Sequence, residues 1–404
     1  MHFSLFRHEW KVMFQNRKNL LFILFFAIAI FSFVFIILPN EEKIESFDVE
    51  KVDAEVRELE SMQKARERRR HTGGPFSVSF YSQKNYKKFL QKGMLASFAD
   101  ENYRRFMNLR TYYLSSMLTG NIDIDDEEMF PDSPFPIKDK GHYINKKIRE
   151  NQAILAADIP VTYEMIEGKA ALQTMVAIFL SFGPFLILFT AIYFSNDILV
   201  RDRRQTSTIQ GLPVSWYRYL NTKSLVAFTY TAIILVALIA LTLILLSITN
   251  GFGSFKMGVP FEKIDKSSGL LTYDYQTMSI LKFFALTFSF IPIFIFVFIR
   301  LNIILSLLFK NEWIVLIISS FLLFSEQFYY ARDKRELFSI GIEHFPQTFF
   351  EFGKIVTGEK NFLINMETLN YSKGILLMII SFIVIEFLVL LTMKIINKER
   401  FFNI

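Results

Sequence analysis

Residues 20–38 read LLFILFFAIAIFSFVFIIL, a run whose one polar side chain is the hydroxyl of Ser32. A hydrocarbon core about 30 Å thick is crossed by roughly 20 residues of helix, because a helix satisfies its own backbone N–H and C=O groups in lipid. The run is therefore read as a membrane-spanning helix, and the rest of the chain is read around it.

Five further segments follow the same logic. Residues 175–194 and 225–246 are clean apolar runs, 283–309 contains Arg300 and Asn302, and 374–393 contains the single carboxylate Glu386. The shortest, 313–330, reaches the required length if Ser325–Tyr330, Glu326 included, continue its helix; residues 310–312 must then form a tight turn after the fourth span. With 52% hydrophobic and only 21% charged residues gathered this way, the expected fold class is an all-α membrane protein with six transmembrane helices. The absence of cysteine excludes a disulfide scaffold and a thiolate metal site.

Charge assigns the sides. With the N-terminus in the cytoplasm, residues 1–19, 195–224, 310–312 and 394–404 lie inside and carry 13 Lys or Arg in 63 residues. The opposite side carries 31 in 215, a lower density, so the Lys/Arg bias predicts a multi-pass protein of the cell membrane with both termini cytoplasmic. The first run exceeds the apolar core of a signal peptide, and no small-residue cleavage site precedes Pro39, so the segment is expected to be retained. The net charge of +6 is too small and dispersed to indicate nucleic acid.

Residues 1–19 precede the first span. Phe3, Phe6, Trp10 and Met13 or Phe14 recur at helical spacing, whereas Arg7, Lys11, Arg17 and Lys18 fall mainly elsewhere. This pattern predicts an amphipathic helix lying in the inner interface in contact with membrane lipids. Residues 39–174 are long enough for an extracellular domain. Val49, Val52, Val56, Leu59 and Met62 predict a helix that packs on a partner helix, and further helices are expected over 85–95, 101–118 and 143–157. The basic run 66–70 reads as a solvated helix end or as an anion-binding patch.

No catalytic constellation assembles. The five histidines show no HExxH spacing, no serine sits in a nucleophile elbow, and no GxxxxGK[ST] phosphate loop occurs. The chain is not expected to be an enzyme or to hold a metal or cofactor, so energised work would need ATP and Mg bound by another polypeptide.

The inner loop is the most specific segment. Residues 195–223, SNDILVRDRRQTSTIQGLPVSWYRYLNTK, resemble the first cytoplasmic loop of ATP-binding-cassette (ABC) type-2 exporter permeases, with Thr206, Leu212 and Pro213, Ser215 and Lys223 in the matching places. The family commonly carries glutamate shortly before that threonine; here Asp202, Arg203 and Arg204 stand there. Residues 344–362, HFPQTFFEFGKIVTGEKNF, resemble the family's segment between spans five and six, with Pro346, Phe350 and Gly353, and the layout of interfacial helix, span, large outer lobe and five further spans is shared. The subfamily includes bacterial sodium, bacteriocin and antibiotic exporters and, more distantly, lipid-exporting ABCA-type proteins. The resemblance implies a permease subunit paired with a cytoplasmic ABC ATPase and with a second copy or paralogue.

On the residues themselves, a helical stretch over 206–212 stopped by Pro213 suits a short helix docked in a groove of a cytoplasmic partner. Ile209, Leu212 and Pro213 are the expected docking residues, with Thr206 beside them and Arg203 and Arg204 adding electrostatic contact. Residues 344–362 are expected to form a re-entrant hairpin or an interfacial helix. Arg300 and Glu386 fall in the inner half of their spans, where each needs a partner, water or a route to the headgroups. Pairing with one another, snorkelling of Arg300 and a substrate or proton role for Glu386 are the three readings. A sensor or immunity protein that binds an extracellular peptide and a lipid-modifying membrane enzyme are the competing functions; a composition rich in Phe, Ile, Lys and Asn points to a low-GC Gram-positive bacterium.

Overall fold

The computed structural model describes residues 2–41, 46–68, 75–122, 129–204, 214–265, 272–332 and 334–403. Its helices, in chain order, are α1 (His2–Gln15), α2 (Arg17–Asn40), α3 (Val49–Arg68), α4 (Pro75–Ala99), α5 (Tyr103–Leu118), α6 (Pro136–Ala156), α7 (Tyr163–Ile166), α8 (Ala171–Leu180), α9 (Gly183–Ser195) and α10 (Trp216–Asn250). After the hairpin β1 (Gly258–Asp265) and β2 (Thr272–Ser279) come α11 (Ile280–Leu308), α12 (Glu312–Tyr329), α13 (Phe352–Thr357), α14 (Glu359–Ile364), α15 (Tyr371–Ile395) and α16 (Lys398–Asn403). The chain divides into two units. One comprises Met1–Ile36, Met175–Leu245 and Lys282–Ile404; the other comprises Ile37–Thr174 and Leu246–Leu281.

The first unit carries the apolar helices. Five, α2, α10, α11, α12 and α15, are long and apolar enough to cross a membrane, and the bent pair ending in α8 and α9 makes a sixth if it counts as one span. Helix α2 starts at Asn16, whose side chain accepts from the Lys18 N–H. It widens into a π turn over Phe33–Ile37, where the Pro39 ring removes the N–H that would bond the Phe35 carbonyl. The tight turn before α12 is present: Asn311 accepts from the Trp313 N–H at 2.9 Å, and the helix continues through Ser325 and Glu326 to Tyr329.

Two of the apolar segments differ from the sequence reading. Residues 175–194 are not one clean span, because the helix breaks between Leu180 and Gly183 and turns by 69°. Pro184 has no N–H for the Leu180 carbonyl and its ring crowds that oxygen, so the helix restarts with proline in its first turn. Helix α10 runs 35 residues, about 52 Å at about 1.5 Å per residue, and so extends well beyond the predicted 225–246. Its first turns, Trp216 to Ser224, were expected to be loop because they are polar, and they are helical because their polar side chains find buried partners.

Residues 344–362 enter the first unit. Phe349 and Phe352 are fully buried, and the Phe352 ring stacks on Phe290 and Phe294 with centroids 6.0 and 5.8 Å apart. A Cβ on Gly353 would lie 2.1 Å from the Phe179 carbonyl oxygen, so glycine permits the close approach of α13 to α8. The segment forms short, buried helices, α13 and α14, separated by the left-handed Gly358.

The second unit is mostly helical, as residues 39–174 predict. Helix α3 packs on α4, where Lys87 pairs with Glu55, Gln91 donates to Glu55 at 2.5 Å and Lys92 pairs with Glu60. Phe47, Phe98, Phe106 and Tyr163 form an aromatic cluster with centroids 4.7–6.2 Å apart. The antiparallel hairpin, in register Gly258↔Ser279, was not expected. It lies against α6: a Cβ on Gly258 would meet the Ala153 Cβ at 2.5 Å, and His142 Nδ1 lies 3.1 Å from Glu262 and 3.0 Å from the Tyr275 hydroxyl.

Candidate functional site

The ends of the loop between α9 and α10 are held by a buried charge cluster. Lys223, two turns into α10, is fully buried, and its Nζ lies 2.7 Å from Glu9 Oε2 on α1 and 2.8 Å from Asp202 Oδ1 in the loop. Tyr219, one turn earlier, donates its hydroxyl to Asp202 Oδ2 at 2.6 Å, and Arg201 Nη2 stands 3.5 Å from Glu9. Burial pushes the Asp202 carboxyl above its ordinary range, and Lys223 opposes that shift. Three elements, α1 among them from the far end of the sequence, thus converge on one ammonium.

The loop's start is fixed separately. Asn16 donates to Asp197 at 3.1 Å, Lys18 donates to Asn196 at 2.5 Å, and Lys18 lies 3.7 Å from Glu312 at the head of α12. Leu199, Tyr219, Leu220, Ile303, Leu307 and Phe401 form a buried apolar cluster beneath it, with Trp216 stacked on Tyr219 at 5.6 Å. Residues 196–204 and 214–224 are therefore anchored on both sides of the stretch 205–213.

Of the predicted docking residues, Thr206, Ile209, Leu212 and Pro213 lie outside the described residues. Arg204 ends a short 3₁₀ turn, and its side chain is likewise outside. Arg203 has partners within the chain itself. Its Nη2 donates to the Ser306 and Leu307 carbonyls at 3.3 and 2.9 Å, and its guanidinium lies 4.4 Å over the Phe401 ring. The side chain thus closes the carbonyl end of α11. Arg203 is a positioning residue of the loop.

The aromatic stripe of α1 is partly internal. Phe6 stacks on Trp10 with centroids 6.2 Å apart, and Trp10 and Phe14 meet the Tyr230 ring of α10 edge-on. The Phe3 side chain lies outside the described residues. Glu9, which the sequence reading passed over, interrupts the apolar face between Phe6 and Met13. A carboxylate at a core-facing helical position is the signal that could have found it.

Within the spans, Arg300 and Glu386 pair directly, and snorkelling of Arg300 is not seen. Nε lies 2.5 Å from Oε1 and Nη2 3.1 Å from Oε2, a bidentate fork; Nη1 donates to Ser224 Oγ at 2.9 Å and Nη2 also to Asn221. Asn302 donates to the Ile192 carbonyl at 2.9 Å and to Ser195 Oγ at 2.7 Å, and accepts from Ser319, tying α11 to α9 and α12. A third buried cluster, also missed in sequence, joins Lys360 to Glu326 at 2.8 Å and to Glu351, which Lys354 meets at 2.6 Å. Among the described residues, no group of three or more His, Asp or Glu side chains is placed to hold a metal ion.

Chemically, these arrangements fix helices to one another and hold a loop at both ends; none aligns a nucleophile with a base. Comparison with protein-family models, with curated proteins and with solved structures returns no match.

Proposed function

We propose that the chain is the permease subunit of an ABC-type exporter, moving a substrate out of the cell with energy from ATP hydrolysed by a separate cytoplasmic ATPase. The observation that carries this reading is the anchoring of 196–204 and 214–224 on the Glu9–Lys223–Asp202 cluster. A docking segment transmits force only if its ends are stiff, and these ends are tied to α1, α10, α11 and α12, so displacement of 205–213 would be passed to four helices. The loop resemblance over 195–223 supplies the family, and the Lys/Arg bias supports both termini being cytoplasmic.

Topology lends further support. Residues 37–174 and 246–281 fold as one unit, which an even number of crossings between them allows. A bent α8–α9 span followed by α10 would supply two; the Lys/Arg bias then favours an extracellular position for the residues of this unit, and a second copy or a paralogue of the permease would complete the exporter. The test is affinity purification of the full chain from its native host, with mass spectrometry of what accompanies it. A polypeptide with a phosphate-binding loop and an ABC signature should co-purify in stoichiometric amount; recovery of the chain with no such polypeptide overturns the reading.

A further inference from the structure

We infer that the groove between α1 and α10 binds an anionic phospholipid, its acyl chain between Trp10 and Ile233 and its phosphate against Arg7 and Lys11. The groove measures about 440 Å³ and is lined by Phe6, Arg7, Trp10, Thr229 and Ile233. Its walls are apolar: Ile233 is 56% exposed on α10, and Thr229 donates its hydroxyl to the Leu225 carbonyl within its own helix at 2.9 Å. A groove on an apolar, membrane-length helix is covered by lipid, so the remaining chemistry at its rim chooses the headgroup.

That rim is cationic. Arg7 is exposed, and Lys11, four residues on, stands exposed on the same strip of α1 beside the aromatic one. The only acid of α1, Glu9, faces away and is held by Lys223, so no carboxylate of the helix competes for the headgroup. Two cations above an aromatic wall match a phosphodiester whose net charge is negative and leave a zwitterionic headgroup's ammonium without a counterpart. Each cation near an anionic headgroup is worth about fivefold in affinity.

Trp10 reports on the groove directly. The full chain carrying Trp216→Phe and Trp313→Phe is reconstituted in phosphatidylcholine vesicles with rising mole fractions of brominated phosphatidylglycerol or brominated phosphatidylcholine, and quenching of Trp10 fluorescence is measured. Phosphatidylglycerol should reach half-quenching at a mole fraction at least about fivefold below that of phosphatidylcholine, and Arg7→Gln with Lys11→Gln should bring the two lipids within about twofold, whereas Arg7→Lys keeps the preference. Equal quenching by both lipids without the charge substitutions, or an unchanged preference with them, overturns the inference. If the tryptophan substitutions prevent folding, native mass spectrometry of the unsubstituted chain replaces them: a retained anionic phospholipid adduct lost in Arg7→Gln/Lys11→Gln supports the site, and an adduct indifferent to those changes refutes it.

Discussion

Replacing Lys223 by Met removes one charge and almost no volume, and it strikes the junction on which the loop between α9 and α10 rests. The ammonium lies 2.7 Å from Glu9 and 2.8 Å from Asp202 with no solvent contact, so its loss leaves two buried carboxylates facing a methyl group. Removing one partner of a buried ion pair costs about 3–5 kcal/mol. For a unit of this size that is a fall of roughly 6–20 °C in melting temperature. Asp202→Asn acts differently: it keeps an acceptor for Tyr219, leaves the Glu9–Lys223 pair intact, and should cost under about 1.5 kcal/mol. Because Asp202 sits above its ordinary range, the folded chain binds a proton there more readily than the unfolded chain. Stability from this group therefore falls as pH rises from the ordinary carboxylate value to the raised one, and Asp202→Asn should flatten that slope. Thermal unfolding of the full chain in detergent, followed by tryptophan fluorescence and circular dichroism, measures all of this. Lys223→Met/Asp202→Asn should melt above Lys223→Met alone; a Lys223→Met protein that melts within about 2 °C of the parent refutes the cluster.

Three further outcomes are expected. Arg300→Met and Glu386→Gln should be non-additive in a double-mutant cycle, with a coupling of about 0.5–3 kcal/mol in thermal stability; additive losses contradict the bidentate pair. Gly353→Ala forces a Cβ into the Phe179 carbonyl and should cost about 1–3 kcal/mol, so a variant as stable as the parent contradicts the packing of α13 on α8. Since the chain has no cysteine, single cysteines at Ser82 and Ser133 should react with an impermeant thiol reagent in intact cells and one at Ser207 only after lysis. The reverse pattern inverts the proposed sidedness.

Hydropathy alone makes most of the first unit legible. Residues 20–38, 283–309 and 374–393 appear within a few residues of their observed helices, because apolar runs of that length have few other uses. Hydropathy failed where it averages over a local device. The Gly183–Pro184 pair breaks a uniformly apolar run that a window cannot resolve. The polar turn Trp216–Ser224 looks like loop until its partners, Glu9 and Asp202, are known, and those lie 214 and 21 residues from Lys223. Arg300 and Glu386 were individually visible as charges in apolar runs, but the fork between them depends on α11 and α15 being neighbours, which no local pattern states. The hairpin was legible in the alternation of Tyr273, Tyr275 and Thr277 after the turn-favouring sequence KSSG at 266–269, a signal the sequence reading did not use.

Under the proposed function the segment 205–213 couples this chain to an ATPase, and Ile209→Asp with Leu212→Asp tests that coupling most directly. The anchoring clusters stay intact in that variant, so membrane insertion and thermal stability should match the parent. ATP hydrolysis by the complex in proteoliposomes is then measured with and without the variant chain. Turnover stimulated by this chain should be abolished while the ATPase retains its basal rate. A variant that co-purifies with the ATPase and stimulates it as the parent does would contradict the account.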